Sequence, residues 1–169
     1  MFTLFVGTNP DCSAMLEVQS FGATASPKDL MQNPVLFAGS PPNGSYQCVA
    51  MRISDTIRMK PATSFGPCVA GTEYAADIYR DGESDWKDVD GSAIVGHGSD
   101  TVPVSDRVVI FMTRSPAAAL GRGISPHQTI ALGSNLVVPG QSTFYWDATG
   151  SITTGGGSCN IQPGRPSFQ

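Results

Sequence analysis

Residues 44–60 read GSYQCVAMRISDTIRMK, and this stretch decides the fold class. In its first half, apolar or small side chains occupy both alternating sets of positions around Cys48. Because successive strand residues point to opposite faces, the pattern predicts a central strand that is covered on both sides. Beyond Asp55, Ile57 and Met59 alternate with polar residues, which predicts a strand with one face in water.

A second stretch of the same kind is RVVIFMT at residues 107–113, which predicts another central strand. A helix start, with a capping residue before a proline, is predicted at residues 26–31, and residues 115–120 are predicted to form a helical turn that ends at Gly121 and Gly123. The segments 143–146 and 151–154 flank a Gly-containing turn and predict a hairpin. Further short strands are predicted at residues 3–6, 15–21, 35–38, 73–80, 129–132 and 136–139.

Many short strands separated by turns predict an all-β chain, since long helices do not alternate with the strands. The composition agrees, with 19 Gly, 13 Pro and only 14% charged residues in 169. We therefore predict a single domain over residues 1–169, an antiparallel β-sandwich with long Gly- and Pro-rich loops. The net charge is −4 and no basic cluster occurs, which disfavours nucleic acid as a partner. No apolar run approaches the roughly 20 residues of a membrane span.

The chain has four cysteines, Cys12, Cys48, Cys68 and Cys159, and no C-x-x-C pair. An even number without zinc-ligand spacing predicts two disulfides, and hence an extracellular, cell-surface or periplasmic location. Three connectivities exist; we prefer Cys48–Cys68, which closes a local loop, with Cys12–Cys159, which ties the ends together. The alternative is four buried thiols in a cytosolic protein. Residues 1–6 lack the features of a signal peptide, so a secreted chain is expected to have lost its signal.

The densest chemical feature is the acidic stretch DGESDWKDVDG at residues 81–91. Its carboxylates are the hard oxygen ligands that Ca²⁺ prefers, so Ca²⁺ is the one cofactor that the sequence suggests. The spacing does not match an EF-hand loop, and the alternative is a solvated hairpin tip. The candidate calcium ligands are Asp81, Glu83, Asp85, Asp88 and Asp90.

Two aromatic residues, Trp86 and Tyr145, are candidate contacts for a protein or glycan ligand, because exposed aromatic side chains often anchor binding. The alternative for Trp86 is a side chain folded back over the sheet edge. Tyr145 and Trp146 point to opposite faces of one strand, so only one of them belongs in a core.

Catalytic residues are scarce. The two histidines, His97 and His127, lie in Gly- or Pro-rich turns, and His97 is followed closely by Ser99 and Asp100. No G-x-S-x-G nucleophile elbow occurs. The spacing of His97, Ser99 and Asp100 does not by itself indicate a catalytic triad, because a triad requires three residues that converge in space. We therefore predict that the protein is not an enzyme, with a secreted hydrolase using His97 as an alternative.

Two segments resemble a domain of unknown function from bacterial envelope lipoproteins. Residues 44–51, GSYQCVAM, are similar to its strand motif, and residues 138–155 are similar to a later segment through Phe144, Asp147 and Ser151. The resemblance implies a transthyretin-like or carboxypeptidase-regulatory-like β-sandwich in a surface-attached, non-enzymatic module. It transfers no catalytic residues, and the cysteines depart from that family.

Taken together, these features predict a non-catalytic secreted or cell-surface module with a structural, recognition or adhesion role. The two-sided strands, the paired cysteines and the low charge support this prediction. A subunit of an extracellular fibre or coat is a further alternative.

Overall fold

A computed structural model describes residues 3–20, 41–78, 86–94, 107–140, 144–146, 152–161 and 166–168. Within these residues the chain forms thirteen strands and one short helix. In chain order they are β1 (Thr3–Gly7), β2 (Leu16–Ser20), β3 (Gly44–Tyr46), β4 (Cys48–Ser54), β5 (Thr56–Met59), β6 (Tyr74–Asp77), β7 (Arg107–Thr113), α1 (Pro116–Gly121), β8 (Thr129–Ala131), β9 (Leu136–Val138), β10 (Phe144–Trp146), β11 (Ile152–Gly155), β12 (Ser158–Ile161) and β13 (Pro166–Phe168). The predicted all-β class is confirmed. No described helix is long and apolar enough to cross a membrane.

The largest described sheet has five strands in the order β2-β1-β4-β7-β8. Strands β4 and β7 lie inside it, and they are the two strands predicted to be central. They pair antiparallel along their whole length, from Cys48 opposite Thr113 to Ser54 opposite Arg107. Both predictions of a central strand are confirmed.

The central strands bury side chains on both faces, and each face has its own core. Alternate residues of β4 belong to different cores, as the two-residue period of a strand requires. The first core contains Leu4, Val49, Met51, Ile53, Trp86, Val108, Ile110, Met112 and Leu132. The second contains Phe5, Cys12, Cys48, Ala50, Val109, Phe111, Ala119 and Ile124. Loops and α1 therefore supply the cover on both sides of the sheet.

The sheet is mixed and not purely antiparallel as predicted, because β8 joins β7 in parallel. Parallel neighbours need a crossover connection, and the segment between them contains α1. The helix begins after Ser115, whose hydroxyl accepts a hydrogen bond from the Ala118 N–H, and Pro116 occupies its first turn. The helical turn predicted at residues 115–120 is thus confirmed, and it is part of the crossover that lets β8 run parallel to β7.

Both disulfides form, but the preferred pairing is wrong: Cys12 is bonded to Cys48 and Cys68 to Cys159. Gly7, at the end of β1, lies opposite Cys48, so a short turn after β1 brings Cys12 back beside it, with 5.3 Å between the two Cα atoms. Cys48 points into the second core, whereas Cys68 lies on the loop of a separate ribbon. Proximity along the sequence was therefore a poor guide to proximity in the sheet.

The hairpin predicted between residues 143–146 and 151–154 is also wrong. Strand β10 pairs with β13, and β11 pairs with β12 across a turn at Gly156 and Gly157. Both glycines have positive φ, 58° and 79°, as a two-residue hairpin turn of type I′ requires. The Gly-Gly pair at 156–157 was thus the stronger turn signal in this region.

The remaining described strands form two more ribbons, β3 with β9 and β5 with β6. The strands predicted at residues 3–6, 15–21, 73–80, 129–132 and 136–139 are confirmed within one to three residues at their ends. The helix start predicted at residues 26–31 and the strand at 35–38 lie outside the described residues.

The buried side chain of Gln128 fixes the segment 86–94 to the sheet. Its Oε1 accepts a hydrogen bond from the Lys87 N–H at 2.6 Å, and its Nε2 donates to the carbonyls of Lys87 at 2.8 Å and Val109 at 2.9 Å. The side-chain amide thus pairs with Lys87 as a neighbouring strand would. Trp86 precedes Lys87 directly, so this contact also brings the indole into the first core.

We expect Gln128→Leu to lower the free energy of unfolding by about 2–4 kcal/mol, because it leaves one buried and two partly buried backbone groups without their partner. Urea denaturation followed by tryptophan fluorescence measures the change. The control is Ser134→Ala at an exposed position, with an expected effect within about 0.5 kcal/mol. An equally small effect for Gln128→Leu would contradict the structural role of this side chain.

Candidate recognition surface

The acidic stretch is only partly described. Asp81, Glu83 and Asp85 lie outside the described residues, whereas Asp88 and Asp90 belong to a tight turn in which the Gly91 N–H donates to the Asp88 carbonyl at 2.9 Å. Among the described residues, no group of three or more His, Cys, Asp or Glu side chains is placed to hold a metal ion.

Asp88 and Asp90 both have protein partners. The Asp88 carboxylate accepts hydrogen bonds from the Arg52 guanidinium at 2.5 Å and from the Val89 N–H at 2.6 Å. Arg52 also lies over the ring of Phe5, 5.1 Å from its centroid. The Arg52–Asp88 pair therefore ties the acidic turn to β4, and the guanidinium is already the positive partner of one candidate calcium ligand.

Asp11 and Asp90 share an Asp-x-Ser turn. In each turn, the carboxylate accepts two hydrogen bonds from the serine two residues later, one from its hydroxyl and one from its backbone N–H. The hydroxyl bond is 2.6 Å long in both turns, and the N–H bond is 2.9 Å for Ser13 and 2.8 Å for Ser92. The hydroxyl bond and then the N–H bond lower the pKa of Asp11 and of Asp90 below the ordinary value, because both stabilise the ionised form.

This motif has a consequence for acid stability. Each carboxyl binds its proton at lower pH in the folded chain than in the unfolded chain, so its contribution is fully present above about pH 4 and is lost as pH falls through the folded pKa. We expect the wild type to lose more stability than Ser13→Ala/Ser92→Ala between about pH 5 and about pH 2. Urea midpoints across this range measure the difference. Parallel curves for the two proteins would contradict it.

Trp86 is buried and not exposed. Its side chain is 1% exposed and packs in the first core, so the exposed position expected for a ligand contact is wrong and the alternative, a side chain folded back over the sheet, fits. Among the acidic neighbours that suggested an exposed position, Asp88 and Asp90 lie on the turn, while the indole itself packs in the first core. Tyr145 on β10 is 50% exposed and stays a candidate contact.

The histidines add no described catalytic group. His97, with Ser99 and Asp100, lies outside the described residues. His127 is exposed in the turn before β8, where its backbone N–H donates a hydrogen bond to the Ser125 hydroxyl at 3.3 Å. The hydrolase alternative therefore has no described geometry behind it.

A surface that the sequence did not single out lies on the loop between β5 and β6. Residues 62–72 of this loop are all exposed except Cys68, which is buried and bonded to Cys159 of β12. Two large apolar side chains stay in contact with water, Phe65 at 41% and Val69 at 55% exposure.

Hydrogen bonds hold the loop in one shape. Phe65 and Cys68 exchange two backbone hydrogen bonds, each of 3.0 Å, which close a four-residue turn. The hydroxyl of Tyr74 accepts the Val69 N–H at 2.9 Å and donates to the Pro67 carbonyl at 3.3 Å. The loop therefore presents its apolar side chains on a fixed backbone, and not on a free coil.

The β11–β12 hairpin lies against this loop. Besides the disulfide, the position of a Cβ on Gly66 would be 3.1 Å from the Thr154 Cγ2, so the two segments are in contact. Neither residues 61–72 nor residues 152–161 contain an Asp, Glu, Lys, Arg or His. We call these two segments together the neutral patch.

Charged residues border the neutral patch at the base of the loop. The Glu73 Oε1 is 3.1 Å from the Arg58 Nη1, and the Glu73 Oε2 is 3.7 Å from the Lys60 Nζ. All three side chains are exposed. An apolar centre with a charged rim is the arrangement found in protein interfaces. The sequence contains a signal for this patch, since the twelve residues between Lys60 and Glu73 carry no charge. Only the structure shows that a disulfide to β12 restrains this loop.

The two disulfides should differ in their reaction with thiols. Cys12 and Cys48 are both fully buried, whereas Cys159 is partly exposed. Exchange requires a thiolate to reach a sulfur atom. We expect limited dithiothreitol followed by iodoacetamide to label Cys68 and Cys159 first, as peptide mapping reports. Under denaturing conditions the two pairs should react alike. Labelling of Cys12 and Cys48 first in the native protein would contradict the burial argument.

The chain matches no protein-family model, and neither a curated protein nor a solved structure is significantly similar to it.

Proposed function

We propose that this protein is a non-catalytic secreted or cell-surface module that works by contacting another macromolecule through the neutral patch. The observation that carries the proposal is the exposure of Phe65 and Val69 on a loop fixed by the Cys68–Cys159 disulfide. Exposed apolar side chains that form a patch mark interaction sites, in contrast to single ones scattered over a surface. The absence of charge in both segments of the patch supports a contact made by apolar packing.

The rigidity of the loop also supports the proposed contact function. Ordering a loop on binding costs free energy, and a loop that is already held in shape avoids that cost. Here the disulfide, the Phe65–Cys68 turn and the Tyr74 hydroxyl restrain the segment before any partner arrives. Such restraint contributes little to the two cores of the main sheet, since Phe65 and Val69 belong to neither. It is useful for presenting a surface.

The location outside the cytoplasm is part of the proposal and rests on the two disulfides. Intact mass measurement on protein from its native source, alkylated without reduction, tests it. We expect no alkylation and a mass lower than that of the reduced chain by four hydrogen atoms. Four alkylated cysteines in the native protein would overturn the location.

Binding measurements test the contact role. Phe65→Ser/Val69→Ser removes both apolar side chains, and the control Leu16→Ser/Val137→Ser removes two others that are 47% and 53% exposed. Each protein is passed over a glycan array, phosphatidylcholine vesicles, a panel of extracellular proteins and immobilised wild-type chain.

We expect at least one of these probes to bind the wild type and the control, and to lose about tenfold or more in affinity with the patch variant. Binding that the patch variant retains, or no binding to any probe, would overturn the proposal. Circular dichroism and the urea midpoint confirm that both variants are folded.

A further inference from the structure

We infer that the macromolecule on the neutral patch is a second copy of this chain, and that the patch joins two copies across a two-fold axis. This inference rests on the proposed contact function and names its partner. Charge is the first reason for choosing a second copy over an unrelated protein.

A two-fold interface places the same surface of both copies face to face, so a charged side chain close to the axis approaches the same side chain of the other copy. Like charges placed opposite each other in an interface are strongly unfavourable. The chain carries a net charge of −4, so two copies repel each other as a whole. The 22 residues of the neutral patch carry no ionisable side chain apart from the bonded cysteines, and two copies meet there without this cost.

The rim of the patch is compatible with the same geometry. Arg58, Lys60 and Glu73 place both signs of charge at the base of the loop. A rim of a single sign would repel its own copy, whereas a mixed rim does not. Their exposed ion pairs are also free to exchange partners, since exposed pairs of this kind are held only weakly.

The patch also has the apolar content and the shape for self-contact. In a two-fold dimer each copy contributes Phe65 and Val69, so four large apolar side chains leave water together. In the other segment of the patch, the hairpin turn at Gly156 and Gly157 carries no side chains, and no atom of the described residues lies within 4 Å of a Cβ placed at either glycine. A second backbone can therefore approach this side of the patch closely.

Another uncharged ribbon provides a matched control. Strands β3 and β9, with the residues that flank them at 41–47 and 133–140, have no charged side chain, and Val137 on β9 is 53% exposed. This ribbon has one large exposed apolar side chain where the neutral patch has two, and no disulfide holds it. If absence of charge alone caused self-association, Val137→Ser would weaken it as well.

Sedimentation equilibrium on the full chain tests the inference, from about 1 μM to about 300 μM, where small interfaces of modest affinity dissociate. We expect the mass to rise from 17.7 kDa towards twice that value as concentration increases. Raising the salt concentration should not weaken the dimer, because its contact contains no ion pair at the centre. Phe65→Ser/Val69→Ser should raise the dimer dissociation constant at least tenfold, and Val137→Ser should leave it unchanged.

Three results would overturn the inference: a monomer at every concentration, a dimer that Phe65→Ser/Val69→Ser leaves intact, or a dimer that Val137→Ser weakens as strongly. A monomer that still binds another probe through Phe65 and Val69 overturns the dimer and leaves the proposed contact function in place. A monomer that binds no probe overturns both.

Discussion

The pairing of β4 with β7 determines how the other described elements are arranged. Seven consecutive residue pairs join the two strands, and both faces of the pair are buried. Two-sided burial obliges the chain to cover the sheet twice, and with only one short helix in the described residues this cover comes largely from loops. Trp86 and Leu132 lie on one face; Cys12 and Ile124 lie on the other. The loops are therefore part of the core, and their sequences cannot be understood as surface connections alone.

The two disulfides serve different parts of this arrangement. Cys12–Cys48 lies within the second core and closes a loop of 36 residues, which in the chain-entropy model stabilises the fold by about 4 kcal/mol. Cys68–Cys159 spans 91 residues and joins two ribbons outside the main sheet. The first stabilises a core that is already apolar; the second gives shape to a loop that has little core of its own. Because the second also fixes the neutral patch, oxidation and recognition are linked in the proposed function.

The sequence predicted most of the scaffold and little of the surface. Strand periodicity located β4 and β7 correctly, because two-sided burial leaves a local pattern in the residues themselves. Trp86 shows the limit of such patterns. Its neighbours are acidic, yet Gln128, more than forty positions away, pairs with the adjacent Lys87 and carries the indole into the core. A local sequence pattern cannot predict a contact between residues so far apart in the chain.

What the sequence determined by itself was the all-β class, the two central strands, the helical turn and the presence of two disulfides, since each depends on local periodicity or on residue counts. The tertiary structure alone decided the disulfide pairing, the parallel entry of β8, the strand partners near the end of the chain and the site of exposed apolar surface. These depend on which segments meet in space. Cys12 reaches Cys48 because β1 pairs with β4, and Cys68 reaches Cys159 because two ribbons lie together; neither relation is local in sequence.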